Sequence, residues 1–262
     1  MRAGALRLKK AGIILFWLFV WQSISIAIHN NIILVGPLDV LYALLRQATM
    51  TDFWITVGFS FGKISLGFLS AFTAGILTGG AAYRLPLIDD LLSPVITLMK
   101  SVPVASFVIL ALIWTGSENL SVIIGFLVVF PMIYIQTIAG IKSTDPKLLE
   151  MADVFKMSGG KRIFYLYRPA LLPYLISGCK VSLGMIWKSG IAAEVIGVPL
   201  HSIGEKLYLS KIYLSTADLF AWTLVIILLS ALFEQFFLWF LHFASPEAWH
   251  KKERRNHDGT ND

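Results

Sequence analysis

Long apolar segments separated by short polar ones make up most of this chain. Six of them are at least 18 residues long, which is enough for a helix to cross a hydrocarbon core of about 30 Å. These segments are residues 11–28, 53–83, 91–114, 120–140, 169–195 and 219–243. We therefore predict an all-α membrane protein with six transmembrane helices, and a short interfacial helix between the first two spans.

The first apolar segment follows several basic residues, so a signal peptide has to be considered. The segment is longer than a typical signal-peptide core, and no small-x-small cleavage motif follows it. We predict that it is an uncleaved first transmembrane helix.

Small residues and prolines mark two of the predicted spans. In the second span, Gly67, Ala71, Gly75 and Gly79 recur at intervals of four, which lets another helix approach closely and predicts a helix buried in the bundle.

The third span holds Pro94 and Pro103 on either side of Lys100. Proline frees backbone carbonyls, which is tolerated in a membrane only against protein or a wet cavity, so this span is predicted to be broken near a pathway.

The distribution of basic residues orients the predicted spans. With a cytoplasmic N-terminus, the three basic residues of the outside segments are Arg46, Lys206 and Lys211. The inside segments hold fifteen, namely Arg2, Arg7, Lys9, Lys10, Arg84, Lys142, Lys147, Lys156, Lys161, Arg162, Arg168, Lys251, Lys252, Arg254 and Arg255. The positive-inside rule therefore predicts that both termini are cytoplasmic.

This orientation divides the chain into three parts. Residues 1–52 hold a cytoplasmic segment, the first span and an external loop, and residues 53–243 form the main transmembrane domain with a cytoplasmic loop at 142–168. Residues 244–262 form a basic cytoplasmic tail, which we expect to be frayed or disordered.

Composition agrees with a protein of the lipid bilayer. The chain is 56% hydrophobic and 15% charged, against about 25% charged in soluble proteins, and its mean hydropathy is +0.73. The net charge of +6 is spread over several membrane-flanking segments, so it indicates topology and not nucleic-acid binding. The single cysteine, Cys179, has no partner for an intrachain disulfide.

The polar interval from Lys142 to Pro173 carries a pattern of its own. Asp145 is placed to cap a helix beginning at Pro146, and Leu148, Ala152 and Phe155 then recur on one predicted face. The pair Gly159 and Gly160 is expected to end that helix, and residues 161–168 form a second short helical run before Pro169. The pattern fits an amphipathic connector in the headgroup region, or a docking element for a soluble partner.

The same interval resembles the EAA loop of type I ABC importer permeases. That loop reads Glu-Ala-Ala, then glycine six residues after the glutamate, then Leu-Pro where the next span starts. The present chain keeps Glu150, Ala152 and Pro169, but has Met151, Lys156 and Arg168 at the other positions. Residues 36–41, 192–197, 202–204 and 218–222 also resemble segments of the nitrate, sulfonate, taurine and bicarbonate branch of that family.

The resemblance implies a type I importer transmembrane domain in a bacterial inner membrane. Two such permeases would pair, with a homodimer as the expected form, and an extracytoplasmic binding protein would deliver a small solute such as a sulfonate, taurine or nitrate. Similar permeases carry heterocycles, so the solute stays open. A cytoplasmic ABC ATPase would bind the coupling residues, which are Glu150, Met151, Ala152, Phe155, Lys156 and Gly159.

The chain offers no enzymatic site of its own. A phosphate-binding G-x-x-x-x-G-K-[ST] loop is not formed around Gly160 and Lys161, so ATP hydrolysis is expected in a partner chain. The G-x-S-x-G pattern around Ser60, with His242 near the end of a later span, leaves a rhomboid-like intramembrane protease as a remote alternative. The five histidines form no ligand pattern, so neither a metal nor another cofactor is predicted.

Four lysines lie within predicted spans, namely Lys63, Lys100, Lys180 and Lys188. Charges inside a membrane usually face a bundle interior or a cavity, so we predict that Lys100, Lys188 and Glu194 line an anion pathway. The alternatives are that the lysines snorkel to the headgroups or pair with Glu194 or Glu234. An ion-driven secondary transporter is the competing class, but Glu194 and Glu234 are the only carboxylates in the predicted spans.

Overall fold

The computed structural model describes residues 2–243, with side chains from Gly12 onward and at Lys9. The predicted basic tail, 244–262, lies outside this range. The described chain is all-helical, and its helices are α1 (Arg2–Ile28), α2 (Pro37–Ala48), α3 (Thr51–Arg84), α4 (Pro86–Ser101), α5 (Val104–Thr115), α6 (Leu120–Lys142), α7 (Pro146–Val154), α8 (Gly159–Arg162), a π-helical turn (Ile163–Tyr167), α9 (Arg168–Gly197), α10 (Ile203–Ile212) and α11 (Thr216–Phe243).

Four helical segments are long and apolar enough to cross a membrane. They are Thr51–Arg84, Leu120–Lys142, Gly159–Gly197 and Thr216–Phe243. The pair α4 and α5 adds a fifth span if its two halves cross together, and α1 holds a shorter apolar stretch, Gly12–Ile28. The all-α membrane class is therefore confirmed, whereas the structure supports four or five spans and leaves the sixth a prediction.

The predicted third span is broken, as the prolines suggested. Helix α4 ends at Ser101 and α5 begins at Val104, and the two axes meet at 107°. Pro103 is the N-cap of α5, where its missing N–H costs no helical hydrogen bond. Pro94, in contrast, lies inside α4 without interrupting it. Residues 91–114 thus belong to two helices and not to one straight span.

The small residues of α3 are its contact surface with α6. Gly67, Ala71, Gly75 and Gly79 are all buried, which confirms the predicted central position of this helix. A Cβ atom at Gly67 would lie 2.8 Å from the carbonyl oxygen of Val122, so only glycine permits this backbone approach. Helix α9 packs against both α6 and α3, so α3, α6 and α9 form the centre of the bundle.

Polar contacts join the loops at one end of the bundle. Arg46 at the end of α2 forms an ion pair of 3.1 Å with Asp218 at the start of α11. Lys206 on α10 forms another, of 2.6 Å, with Asp52 at the start of α3. These pairs place residues 29–52 and 198–218 together, as expected if both segments lie on one side of the membrane.

The predicted boundaries after residue 154 are wrong in two places. Helix α7 ends at Val154, and Gly159 begins α8 instead of ending the preceding helix. Helix then continues from Gly159 to Gly197, so residues 161–168 are the first turns of a long helix and not a separate surface helix. Pro169 is accommodated because a π-helical turn, Ile163–Tyr167, widens the backbone just before it.

Candidate functional site

A short helix, α7, lies between the ends of two long helices. It begins as predicted: Pro146 occupies its first turn, and the Asp145 carboxylate accepts a hydrogen bond of 2.9 Å from the backbone N–H of Lys147. This cap satisfies one of the N–H groups that lack a partner inside a helix. The sequence thus fixes the start of α7 locally, directly after α6.

Arg162 fastens the other end of α7 to the chain that follows. Its Nε–H donates to the carbonyl oxygen of Met157 at 3.0 Å, and Nη2 donates to that of Ala152 at 3.3 Å. The same guanidinium forms an ion pair of 2.6 Å with Asp153. One side chain therefore holds the last turn of α7 and the connecting turn together. Sequence reasoning missed this role, since the spacing of Arg162 alone shows no partner.

The apolar surface of α7 points away from the rest of the chain. Four side chains on the last turns of α7 and directly after it share this exposure, at 41%, 43%, 78% and 74% respectively: Leu148, Met151, Val154 and Phe155. Ala152, in contrast, is fully buried against the chain itself. The predicted shared face of Leu148, Ala152 and Phe155 is therefore wrong, because Leu148 and Phe155 lie on the exposed surface whereas Ala152 faces the chain.

The polar residues of this segment are also exposed. Glu150 lies on α7, and within residues 2–243 its carboxylate makes neither an ion pair nor a hydrogen bond. Lys156 adopts a left-handed backbone conformation with φ of 48° at the turn between α7 and α8. That position is where the family pattern has glycine, and left-handed φ explains this preference. Gly159 begins α8, with open space around the position of a Cβ atom.

Two of the three predicted pathway residues are exposed. Lys100 lies in the last turn of α4, and Lys188 lies on α9 about 14 Å from the end of that helix at Gly197. Among the described residues, neither lysine forms an ion pair with a carboxylate. The exposed face of α9 around Lys188 consists otherwise of Val181, Met185, Ala192 and Ile196.

Glu194 does not share this face. Its side chain is fully buried, and its Oε2 accepts a hydrogen bond of 2.7 Å from Ser60 on α3 and one of 3.2 Å from the N–H of Gly204 on α10. The Ser60 hydroxyl in turn accepts a bond of 2.8 Å from the N–H of Ile203. The predicted pathway role of Glu194 is corrected: the residue binds the N-terminus of α10 to α3 and α9.

Helix α10 lies against α9 with no space for a side chain at Gly204. A Cβ atom at Gly204 would stand 2.4 Å from the carbonyl carbon of Glu194 and 2.5 Å from the N atom of Val195, so glycine is required there. Ser60 was noted in the G-x-S-x-G pattern and Gly204 within the segment 202–204, but neither was predicted to form this contact. The signal was present, since the N-cap Ser202 and Glu205 three residues later mark the start of a helix.

The geometry at Ser60 bears on the protease alternative. Ser60 lies in the first third of α3, whereas His242 is in the last turn of α11. The His242 Nδ1 lies at hydrogen-bond distance, 2.7 Å, from the carbonyl oxygen of Leu238. Both helices run in the same direction from the end of the bundle that holds Asp52 and Asp218. The serine and the histidine therefore lie at opposite ends, and the serine hydroxyl is engaged by Glu194.

Comparison with known proteins decides the class of this helical bundle. Residues 71–246 match the family described as binding-protein-dependent transport system inner membrane component. The chain belongs to this family. An inner membrane component of a transport system agrees with the four or five apolar helical spans of the described residues.

Several curated relatives cover most of the chain. The taurine transport system permease protein TauC of Escherichia coli (strain K12) is 27% identical over 199 residues, which are 71% of this chain and 72% of the relative. The bicarbonate transport system permease protein CmpB of Synechocystis sp. is 27% identical over 223 residues, 77% and 78% of the two chains. The nitrate import permease protein NrtB of Synechococcus elongatus is 27% identical over 191 residues, 69% and 68%. The predicted branch of the family is thereby confirmed.

Proposed function

We propose that this chain is the permease subunit of an ATP-binding-cassette importer and that it forms half of a transmembrane path for a small anion. The observation that carries the proposal is the exposed apolar surface of α7. An apolar patch of this kind, rimmed by charges and held rigidly outside the bundle, is typical of a surface that binds another protein. The relatives named above are permeases of systems for taurine, bicarbonate and nitrate.

Helix α7 is suited to transmit movement. The Asp145 cap and the Arg162 contacts hold both of its ends, and the chain joins it to α6 through residues 143–145 and to α9 through α8 and the π-helical turn. A cytoplasmic ATPase that binds Met151, Phe155 and the neighbouring apolar side chains would therefore move α6 and α9 together. Rigid-body movement of this kind is the usual way in which domain closure opens a path alternately to each side. Glu150, Lys156 and Gly159 would contact the ATPase at the edge of the patch.

The path itself is proposed to form between two copies of the chain. Helix α9 is packed on most of its circumference, yet it leaves Lys188 exposed within its apolar length, about 14 Å from Gly197. A lysine in lipid at this depth costs at least about 2.5–3.5 kcal/mol, so a wet path between two subunits is the better environment. Lys100 would lie on the same path beside the break between α4 and α5. Two positive charges favour an anionic solute.

The remaining parts of the proposal follow the family. The permease is a homodimer, each copy has six spans with both termini in the cytoplasm, and an extracytoplasmic binding protein delivers the solute. That protein would contact the end of the bundle where Arg46, Asp52, Lys206 and Asp218 lie.

Co-purification from membranes tests the ATPase partner. A tagged wild-type chain and the Glu150→Lys variant are solubilised gently, and the proteins that co-purify with each are identified by mass spectrometry. We expect an ABC ATPase with the wild type and much less with the variant, whose folding is checked by its melting temperature. If a folded wild type brings no ATPase, the proposal fails and an ion-driven transporter becomes the better explanation.

Uptake measurements test the path. Lys100→Ala and Lys188→Ala are expected to reduce anion uptake while leaving co-purification of the ATPase unchanged. Lys63→Ala is the matched control, because Lys63 Nζ already donates to Asn119 at 2.5 Å inside the chain. Unchanged uptake and solute affinity in both variants would remove the two lysines from the path.

A further inference from the structure

A cavity of about 810 Å³ opens between the ends of α3, α6 and α9, outside the surfaces discussed above. Its walls are mostly apolar and include Ile76, Ile141 and Leu175, and its rim includes Arg84 and Arg168. Its size is within the range of cavities that hold small organic ligands. No residue proposed for ATPase binding or for the solute path lines it.

The π-helical turn contributes directly to this cavity. Ile163 and Tyr167, the first and last residues of the turn, both line it. Single π-turns inside α-helices occur frequently at functional sites, because the wider backbone opens space beside the helix. Here the turn also accommodates Pro169, so one local feature explains both the unbroken helix and the open space next to it.

The arrangement of charge along the cavity matches the depth profile of one membrane leaflet. Arg84 is the last residue of α3, and Ile76 lies eight residues earlier, about 12 Å deeper along the helix. Arg168 lies nine residues after the start of the continuous helix at Gly159, and Leu175 lies seven residues, or about 10 Å, further into the bundle. Both arginines therefore lie closer to this end of the bundle than Ile76 and Leu175, which line the deeper part of the cavity.

We propose that this cavity is a binding site for an anionic phospholipid. One acyl chain lies between Ile76 and Leu175, and the phosphate lies between Arg84 and Arg168. Basic pockets between helices on the cytoplasmic side are a known environment for anionic headgroups, and each arginine near the surface strengthens the attraction. A neutral lipid would fill the same apolar space but would bring no net negative charge to the rim.

The position of the cavity gives the lipid a structural role. Ile141 directly precedes the segment that carries α7, and Ile163 to Arg168 directly follow it. A bound lipid would fill the space between the end of α6 and the start of the long helix after α7, and would restrict movement of the two segments relative to each other. This site is independent of the proposed function, since its occupancy requires neither an ATPase nor a transported solute.

Lipid retention by the purified full-length chain tests the proposal. The probes are dioleoyl phosphatidylglycerol and dioleoyl phosphatidylcholine, which share acyl chains and differ in charge, and bound lipid is counted by native mass spectrometry. Gly80→Leu fills the cavity, because a Cβ atom at Gly80 meets nothing within 4 Å and the residue lines the wall. Arg84→Gln removes charge at the rim. It is the cleaner arginine variant, since the Arg168 guanidinium also lies 4.6 Å from the centre of the Phe164 ring.

Two matched controls accompany these variants. Gly58→Leu makes the same change in the same helix at a position that also has open space, outside the cavity lining. Lys9→Gln removes one exposed basic residue from the same end of the bundle as Arg84, if α1 crosses the membrane as proposed. Both controls are expected to retain lipid like the wild type.

We expect the wild type to retain phosphatidylglycerol more strongly than phosphatidylcholine. Arg84→Gln should weaken binding of the anionic lipid roughly fivefold, the effect of one arginine near a charged surface, and Gly80→Leu should lose the retained lipid. In addition, phosphatidylglycerol should raise the melting temperature of the wild type more than that of Gly80→Leu.

Retention by Gly80→Leu equal to that of the wild type would overturn the site. Equal retention of the two lipids by the wild type would indicate an adventitious lipid only, and would overturn the role of the arginines. If no form of the dimeric permease retains lipid, a second copy of the chain covers the cavity and the proposal is wrong. Melting temperatures without added lipid confirm that each variant is folded.

Discussion

Replacing Gly204 by alanine should damage the contact between α10 and the centre of the bundle. The added Cβ atom would stand 2.4 Å from the carbonyl carbon of Glu194 and 2.5 Å from the N atom of Val195. Both are backbone atoms of α9, so a change of side-chain rotamer cannot relieve the overlap. Helix α10 must move outward, and the hydrogen bond of 3.2 Å from the Gly204 N–H to Glu194 is strained or lost with it.

The size of the effect follows from three contributions. Overpacking a tight interior costs about 1–3 kcal/mol, and leaving a buried hydrogen-bonding group without its partner costs about 1–3 kcal/mol more. The higher helix propensity of alanine returns at most about 1 kcal/mol. The net loss in the free energy of unfolding is therefore roughly 1–6 kcal/mol, which corresponds to a decrease in melting temperature of roughly 2–24 °C for a protein of this size.

Thermal unfolding of the purified chain in detergent measures this decrease. The matched control is Gly184→Ala on α9, where a Cβ atom would meet nothing within 4 Å and where alanine should leave stability unchanged or slightly raised. A Gly204→Ala variant that melts within about 1 °C of the wild type would refute the account of this junction, because a contact below 3 Å to backbone atoms cannot be absorbed without cost.

Three further predictions concern single residues. Glu194→Gln keeps an oxygen that can accept the two buried hydrogen bonds and should cost little, whereas Glu194→Ala leaves both donors without a partner and a cavity behind, for a loss of about 2–5 kcal/mol. Lys156→Gly removes the roughly 1–2 kcal/mol cost of left-handed backbone and should raise the melting temperature slightly, whereas Lys147→Gly inside α7 should lower it. Arg162→Gln should make the turn after α7 several-fold more sensitive to chymotrypsin, whereas Asp153→Ala, which removes only an exposed ion pair, should have a small effect.

Each of these pairs has an outcome that contradicts the structure. Equal melting temperatures for the Gln and Ala variants at position 194 would mean that the hydrogen bonds to the Glu194 carboxylate do not contribute to stability. A decrease for both glycine variants would argue against left-handed backbone at residue 156. Equal cleavage rates for the variants at positions 153 and 162 would mean that the backbone contacts of the arginine add nothing to its ion pair.

Features encoded by neighbouring residues could be predicted from the sequence. The start of α7 was predicted because a cap and a proline act within one turn. The burial of Gly67 and Gly75 was predicted because a regular interval of small residues has one main use in a membrane helix. The break at Pro103 followed from the chemistry of proline.

Features that depend on distant contacts could not be predicted. The end of α7 was misplaced because Gly159 is a helix breaker by propensity, while Arg162 draws the following turn into a different path. Glu194 was assigned to a pathway because a carboxylate in an apolar span suggests function. Its partners lie 134 and 10 residues away in sequence, on α3 and α10, and only the fold brings them together.

The most direct test of the account is a photo-crosslink from the exposed end of α7. A photoreactive phenylalanine analogue is placed at Phe155, which is 74% exposed, and at Leu214, which is 61% exposed beside α11 at the opposite end of the bundle. After irradiation of intact membranes, the account predicts a crosslink from position 155 to an ATP-binding subunit and none to that subunit from position 214. A crosslink from position 155 to lipid alone would contradict it, because α7 would then be a connector in the membrane surface.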